Sequence, residues 1–375
     1  MTLSVEIRSS LRDQEAQAFD AFLDSLPDSL VQQSILWSEA IRDIGPDEPF
    51  HIAVKDSGAI AGVLTVYLYR HELGNILFSN PQAGSMGSLA VHPAADAASV
   101  ARLLLDAATD LALNLDCVCL TLTSNPFAKE DTIGTLMGAD YSLCNRVHYL
   151  LPDDCFDGNG EYAISHSKFR NNLKRNLLRA EEAGLRVEES YSPEHLLDWY
   201  GIHCTRMEEI RGIPLPFPLF RKALEIAVPS DRAAFHYVLD ERGRVQGGGF
   251  HIYNSRIADI FMMSTTREGQ VKGANYLLVH EALKWAKAKG IRVYNWQASN
   301  PPEGSVARFK EQWGSRTAIY HYYTKVLGDL GPVLGAGIRR VRDAYRWHYV
   351  VPFAIFTDRG KRAFSKTDSE AFLPA

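Results

Sequence analysis

Apolar and polar positions alternate along this chain in blocks that predict β-hairpins and amphipathic helices. A helical spacing covers residues 14–26. Residues 50–69, FHIAVKDSGAIAGVLTVYLY, then place two apolar runs around Asp56-Ser57-Gly58, the pattern of a hairpin. Residues 235–254, FHYVLDERGRVQGGGFHIYN, repeat it. At a constant offset of 185, Phe50 falls on Phe235, His51 on His236, Gly58 on Gly243 and Gly62 on Gly247. The continuation agrees in order. A helix over 98–114 and a buried strand over Cys117–Thr123 follow the first hairpin, and a helix over 274–289 and a strand over Ile291–Ser299 follow the second. In the later helix Leu278, Ala282 and Trp285 stack at helical spacing, and Gly290 supplies the stop.

The chain therefore reads as a tandem duplication of one hairpin–helix–strand unit. The expected class is α/β (α+β), with a mixed β-sheet flanked by helices in each half. The expected boundaries are 1–155, 156–327 and a basic, aromatic tail over 328–375.

Between the repeats lies SHSKFRNNLKRNLLRAEEAG. Ser165 or Ser167 can cap a helix here, Phe169, Leu173, Leu177 and Ala180 form its apolar stripe, and Gly184 ends it. Lys168, Arg175 and Arg179 flank that stripe on one side, Arg170 and Lys174 on the other. Such rows either grip phosphate oxygens or form a solvated face. In the tail, Arg339, Arg340, Arg342 and Arg346 are interleaved with Val341, Tyr345, Trp347 and Tyr349. This pattern suits peripheral contact with the inner face of an anionic membrane through residues 338–356, or packing against the preceding domain.

Charge sharpens the contrast between halves. Residues 1–150 carry 8 Lys/Arg against 19 Asp/Glu, and the remainder 32 against 26, which recovers the net −5. An anionic partner is therefore expected on the second half. With 46% hydrophobic and 23% charged residues over 375 positions, the composition is globular and excludes a disordered chain or a disulfide mini-scaffold. The N-terminus lacks a basic start and an apolar stretch, so a cytoplasmic protein is expected. The five cysteines and twelve histidines show no metal-ligand spacing, so no metal is expected. Cys117 and Cys119 read as small buried hydrophobes.

No serine-elbow, P-loop or dinucleotide fingerprint is present. Gly247-Gly248-Gly249 falls in a strand, where it permits close backbone approach or a bulge. The most informative stretch is YNWQASNPPEGSVARFKEQWGS. An apolar strand runs into Asn295, Gln297 and Ser299, polar groups that suit a ligand pocket. Arg308 and Lys310 then bracket Phe309. A cation there suits a developing oxyanion in acyl transfer. Glu281 or His280 on the preceding helix offers a proton relay, although a structural role is the commoner fate of such residues.

Taken in order, FRNNLKRNLLRAEEAGLRVE, the RGIPLPF loop, the glycine-rich strand and YNWQAS…GSVARFKEQWGS resemble the FemAB-like and BioF2-like acyltransferases, tandem-domain relatives of the GNAT enzymes. The resemblance covers residues 160–325 well and the first half only through the duplication.

It implies two GNAT-like domains and transfer of an acyl or aminoacyl group to an amine, commonly on a cell-envelope polysaccharide or peptidoglycan precursor. It carries a catalytic role onto Lys310, and acceptor phosphate contacts onto Lys168, Arg170, Lys174 and Arg175. The donor loop of GNAT enzymes finds its nearest match in Gln270-Val271-Lys272-Gly273-Ala274-Asn275, with asparagine where glycine or alanine is usual. Acyl-CoA is the expected donor. Aminoacyl-tRNA is the alternative, which would make tRNA a partner beside a small-molecule or lipid-linked glycan acceptor. The rival from another class is a non-catalytic, membrane-surface assembly factor.

Overall fold

The computed structural model describes residues 2–42, 44, 48–81, 86–157, 160, 162–210, 212–254, 256–299, 304–345 and 353–356. Among these residues there are thirteen strands. The first six are β1 (Leu3–Arg8), β2 (Glu48–Asp56), β3 (Ala59–Tyr69), β4 (Asn75–Phe78), β5 (Ala90–Val91) and β6 (Cys117–Thr123). Then come β7 (Tyr141–Leu150), β8 (Arg186–Glu189), β9 (Ala233–Leu239), β10 (Val245–Tyr253), β11 (Ile257–Thr265), β12 (Val293–Ala298) and β13 (Arg316–Val326).

The chain divides into two units. The first runs to Asn145 and resumes at Ile319, and the second is Arg146–Ala318. The crossings fall within β7 and β13, so the first unit is assembled from two separate stretches.

In the first unit the strand order is β1-β2-β3-β4-β6-β13, with β5 on β3. The helix Ala97–Asn114 buries Val100, Leu104 and Ala108 against Val54, Leu64, Val66, Leu77 and Leu120. Each such side chain taken from water stabilises by about 1.5–3 kcal/mol, fewer for alanine. Cys117 and Cys119 are free and buried, and burial pushes both thiols up to about 12. The basic tail returns to this unit. Its helix Gly331–Ala344 buries Val333 and Val341, and the Tyr345 hydroxyl donates to the Gly74 carbonyl at 2.5 Å. The apolar side of this segment up to Tyr345 is thus covered by protein. Arg346, Trp347 and Tyr349 lie outside the described residues.

In the second unit the order is β7-β12-β11-β10-β9-β8. The helix Ala274–Ala288 covers one face with Val279, Ala282, Leu283 and Ala286, packed on Ala234, Ala258 and Tyr294. It ends at Gly290, whose φ of +73° lets Ile291 N donate back to Ala286 O. The helix Pro193–Glu209 covers the other face. There Trp199 lies on the strand because Gly248 has no side chain: its indole donates to Gly248 O at 3.0 Å, and a Cβ on Gly248 would stand 2.9 Å from the ring.

Two expectations are corrected in detail. The second hairpin is displaced by one residue in its return strand. Ala53 faces Val63 and Val238 faces Gly247, so the ladder aligns Gly247 with Val63 rather than Gly62. A five-residue turn and the register shift between Val245 and Gly247 replace the two-residue Ser57-Gly58 turn. The basic helix runs Ser167–Glu182, and its N-cap is His166, which makes no side-chain capping bond, rather than either serine.

Candidate functional site

The parallel strands β11 and β12 pair at Ile257↔Val293, Ala258↔Tyr294 and Asp259↔Asn295, and no farther among the described residues. Beyond that point β11 continues to Thr265 and β12 to Ala298, so the two strands part and leave a cleft. The first unit supplies the contrast. There the corresponding parallel pair, β4 and β6, stays closed to its end. Phe78 faces Thr121, Ser79 N donates to Thr121 O at 3.0 Å, and Thr123 N donates to the Ser79 hydroxyl at 3.0 Å. Of these two parallel pairs, the one in the second unit opens among the described residues.

Polar side chains fix the apex. Asp259 and Asn295 are buried, and the Asn295 amide donates to the Asp259 carboxylate. Asn295 Oδ1 accepts from Gln297 N at 3.0 Å. On the other face, Tyr294 reaches past the small Ala258 to His251 of β10, with 2.9 Å between its hydroxyl and His251 Nε2.

Immediately after the apex β12 loses its regular form. Gln297 has φ of +62°, a left-handed conformation rare for a residue with a side chain, and the pairing with β7 shifts between Asn295 and Ala298. Asn295, Gln297 and Ser299 therefore do not share one face, as a regular strand would have it. Asn295 builds the apex. The hydroxyl of Ser299 is buried without a hydrogen-bond partner.

Lys310 lies on the helix Ser305–Glu311 and is only 6% exposed. Its ammonium donates to three successive carbonyls of β12: Trp296 O at 2.6 Å, Gln297 O at 3.2 Å and Ala298 O at 3.0 Å. Burial pushes it down to about 7. His148 of β7 stands beside it, with 3.3 Å between Nδ1 and the Ser315 hydroxyl. Burial first, then the charges of Lys310 and Arg146, push this imidazole down to about 4. Phe309 packs on Tyr276, Trp296 and Trp313, while Arg308 is exposed.

Glu281 is engaged elsewhere. Its carboxylate accepts from Lys284 at 3.0 and 3.1 Å and lies 3.6 Å from His280 Nε2. His280 in turn is hydrogen-bonded through Nδ1 to Tyr162. The structure does not bring Glu281 to Lys310, whose partners are carbonyls of β12.

The loop Gln270–Asn275 leads into the helix Ala274–Ala288, and Gly273 is the turning point. Its φ is +87°, and a Cβ there would stand 2.4 Å from Asn176 O of the basic helix. Lys272 pairs with Glu268 at 2.7 Å. The basic helix thus packs directly on this loop, and Arg179 approaches Val271 O at 3.5 Å. Lys174, Arg175 and Arg179, with Asn171, Leu178 and Glu182, line a shallow surface groove. Arg170 is not part of it, since it donates to Ile164 O at 2.9 Å, and Lys168 is exposed in the first turn.

Two sequence-family models match this chain. The Acetyltransferase (GNAT) family covers residues 11–130, and the Acetyltransferase (GNAT) domain covers 167–321. This chain is a tandem-domain GNAT acyltransferase. Its fold is similar to that of FemX, with a TM-score of 0.66 at 13% identity over 86% of this acyltransferase and 98% of FemX. A tandem GNAT protein from the clavulanic acid biosynthesis pathway aligns with a TM-score of 0.52 at 16% identity, over 88% of this chain and 100% of that one. Among curated proteins none matches the acyltransferase in sequence. The residues that sequence reasoning missed are Asp259, His148, Tyr294 and His251. Only Asp259 left a signal, as the one charge in the apolar run IADIFMM.

Proposed function

We propose that this acyltransferase moves an acyl group from a thioester donor, acyl-CoA, to an amine on a cell-envelope polysaccharide or peptidoglycan precursor, in the cleft between β11 and β12. The observation that carries this reading is the end of the β11–β12 ladder at Asp259↔Asn295. Past that pair β11 and β12 form no further ladder among the described residues. A strand end opened in this way suits backbone N–H donation to an oxyanion.

In the reaction the amine attacks the carbonyl carbon and a C–N bond forms. The tetrahedral oxyanion collapses, the C–S bond breaks, and the proton lost by the amine balances the one gained by the departing thiolate. The cleft contributes orientation. Ser299 and the side chain of Gln297 are assigned to polar atoms of the donor or acceptor. Lys174 and Arg175 in the basic groove are assigned to acceptor phosphates, for which charge-assisted contacts are the natural recognition mode.

A second donor, aminoacyl-tRNA, is favoured by one feature. Asn275 stands in the donor loop where a small residue lets a pyrophosphate approach the helix N-terminus. With that donor the broken bond is C–O and the leaving group a ribose hydroxyl.

The test is a transfer assay read by mass spectrometry. The protein is incubated with acetyl-CoA, longer acyl-CoAs or aminoacyl-tRNA, each with an amino-sugar nucleotide or a peptidoglycan precursor. The reading expects one acyl mass increment on an amine, lost in Ser299→Trp, which adds an indole directly after β12. Transfer at the wild-type rate in that variant would place the reaction elsewhere.

A further inference from the structure

A lysine ammonium has three N–H donors, and Lys310 directs all three at consecutive carbonyls of one strand. Successive carbonyls of a regular strand point to opposite sides and cannot converge on one atom. Their convergence here requires the distortion that β12 shows, namely the left-handed Gln297 and the shift in pairing with β7 between Asn295 and Ala298. The same distortion begins one residue after the last β11–β12 pair. With its donors occupied, the ammonium has no N–H left over for a reacting oxygen.

We propose that Lys310 is a positioning residue: it gathers the carbonyls of Trp296, Gln297 and Ala298, holds β12 in its bulged form, and so keeps the strand end turned away from β11. This rests on the reading of the β11–β12 opening as the acyl-transfer cleft only for its functional meaning. The clamp itself stands on the geometry of β12 and its three bonds to Lys310. The titratable group of β7 that faces Lys310 is His148, on which the charges of both Lys310 and Arg146 bear. His148 charges only near pH 4, so between pH 6 and 9 the titrating member of this pair is Lys310, pushed down to about 7 by burial. A neutral amine offers two N–H donors, and the clamp loses both its charge and one bond.

Hydrogen exchange by mass spectrometry on the full chain, without any substrate, tests this. Peptides covering 293–299 are followed in wild type, Lys310→Met and Lys310→Arg from pH 6 to 9, corrected for intrinsic exchange, with β9 as reference. Loss of charge-assisted bonds predicts exchange about tenfold faster at 295–299 in Lys310→Met. Lys310→Arg restores part of the protection. Wild type shows a step in exchange near pH 7 that Lys310→Arg lacks. Unchanged exchange in Lys310→Met, or a wild-type profile without the step, overturns the proposal. Should Lys310→Met fail to fold, the wild-type series and Lys310→Arg decide. Because exchange needs no donor or acceptor, failure of the clamp is distinguishable from failure of the acyl-transfer reading.

Discussion

Asp259 and Asn295 are the last facing pair of the parallel β11–β12 ladder, and their side chains are joined, the Asn295 amide donating to the Asp259 carboxylate. A buried carboxylate is tolerated only with such donors. The pair therefore both marks and fixes the point where the sheet opens. Asn295→Leu keeps the volume and removes the donor, which should cost about 2–3 kcal/mol. Urea unfolding at pH 7 checks it. A change under half a kcal/mol would show that the pair does not hold the apex.

Gly273 should resist substitution. Alanine there meets a positive φ, costing about 1–2 kcal/mol, and a carbonyl oxygen 2.4 Å from its Cβ. Gly273→Ala is expected to lower stability by at least that amount and to loosen the basic helix from the donor loop. Calorimetry gives the first effect, and proteolysis within 167–182 the second.

The halves of this fold were unequally legible in the sequence. The Cys117–Thr123 strand and the helices at 97–114 and 274–288 follow from apolar periodicity, because each buries a whole face. The β12 bulge does not. Asn295, Gln297 and Ser299 carry the spacing of a regular strand, and the bulge comes with a tertiary contact to Lys310 that no local pattern announces. Nor does the pattern of the tail tell which unit covers it, since Val341 and Tyr345 would be buried equally well by either. The basic cluster was visible, but not that Arg170 leaves it for the loop carbonyl of Ile164.

Acid should destabilise the protein through its buried histidines. His51, His203 and His236 are pushed down to about 4 from 6.5, by burial first in each case. A folded-state value below the unfolded one means that the unfolded chain takes up protons first as pH falls. Stability is then lost between about pH 6.5 and 4. Urea midpoints at pH 7, 6, 5 and 4.5 should decline in that window, and His203→Phe should reduce the slope. A flat profile would show these imidazoles to be accessible.

Lys310 has the same sign in a higher pH window. Its folded value of about 7 lies below the 10.5 of an ordinary lysine, so between those limits the unfolded chain binds the extra proton and stability rises with pH. Wild type should gain stability relative to Lys310→Met from pH 7 to 9.5, by about 1–3 kcal/mol. Parallel pH profiles of the two proteins would contradict it.

If the groove on the basic helix holds acceptor phosphates, Lys174→Ala with Arg175→Ala should raise the acceptor KM several-fold and flatten its salt dependence, with kcat little changed, because fewer ionic contacts remain to be screened. Identical salt profiles would return this helix to a solvated face.

Donor binding in the β11–β12 cleft is tested most directly by thermal shift. Wild type and Ser299→Trp are each melted with acetyl-CoA, a long-chain acyl-CoA and aminoacyl-tRNA. A ligand at 100 times its dissociation constant adds about 2.7 kcal/mol. Acyl transfer in this cleft requires that one donor class raise Tm in wild type and not in Ser299→Trp. Stabilisation by none of the three, or equal stabilisation of both proteins, would contradict it.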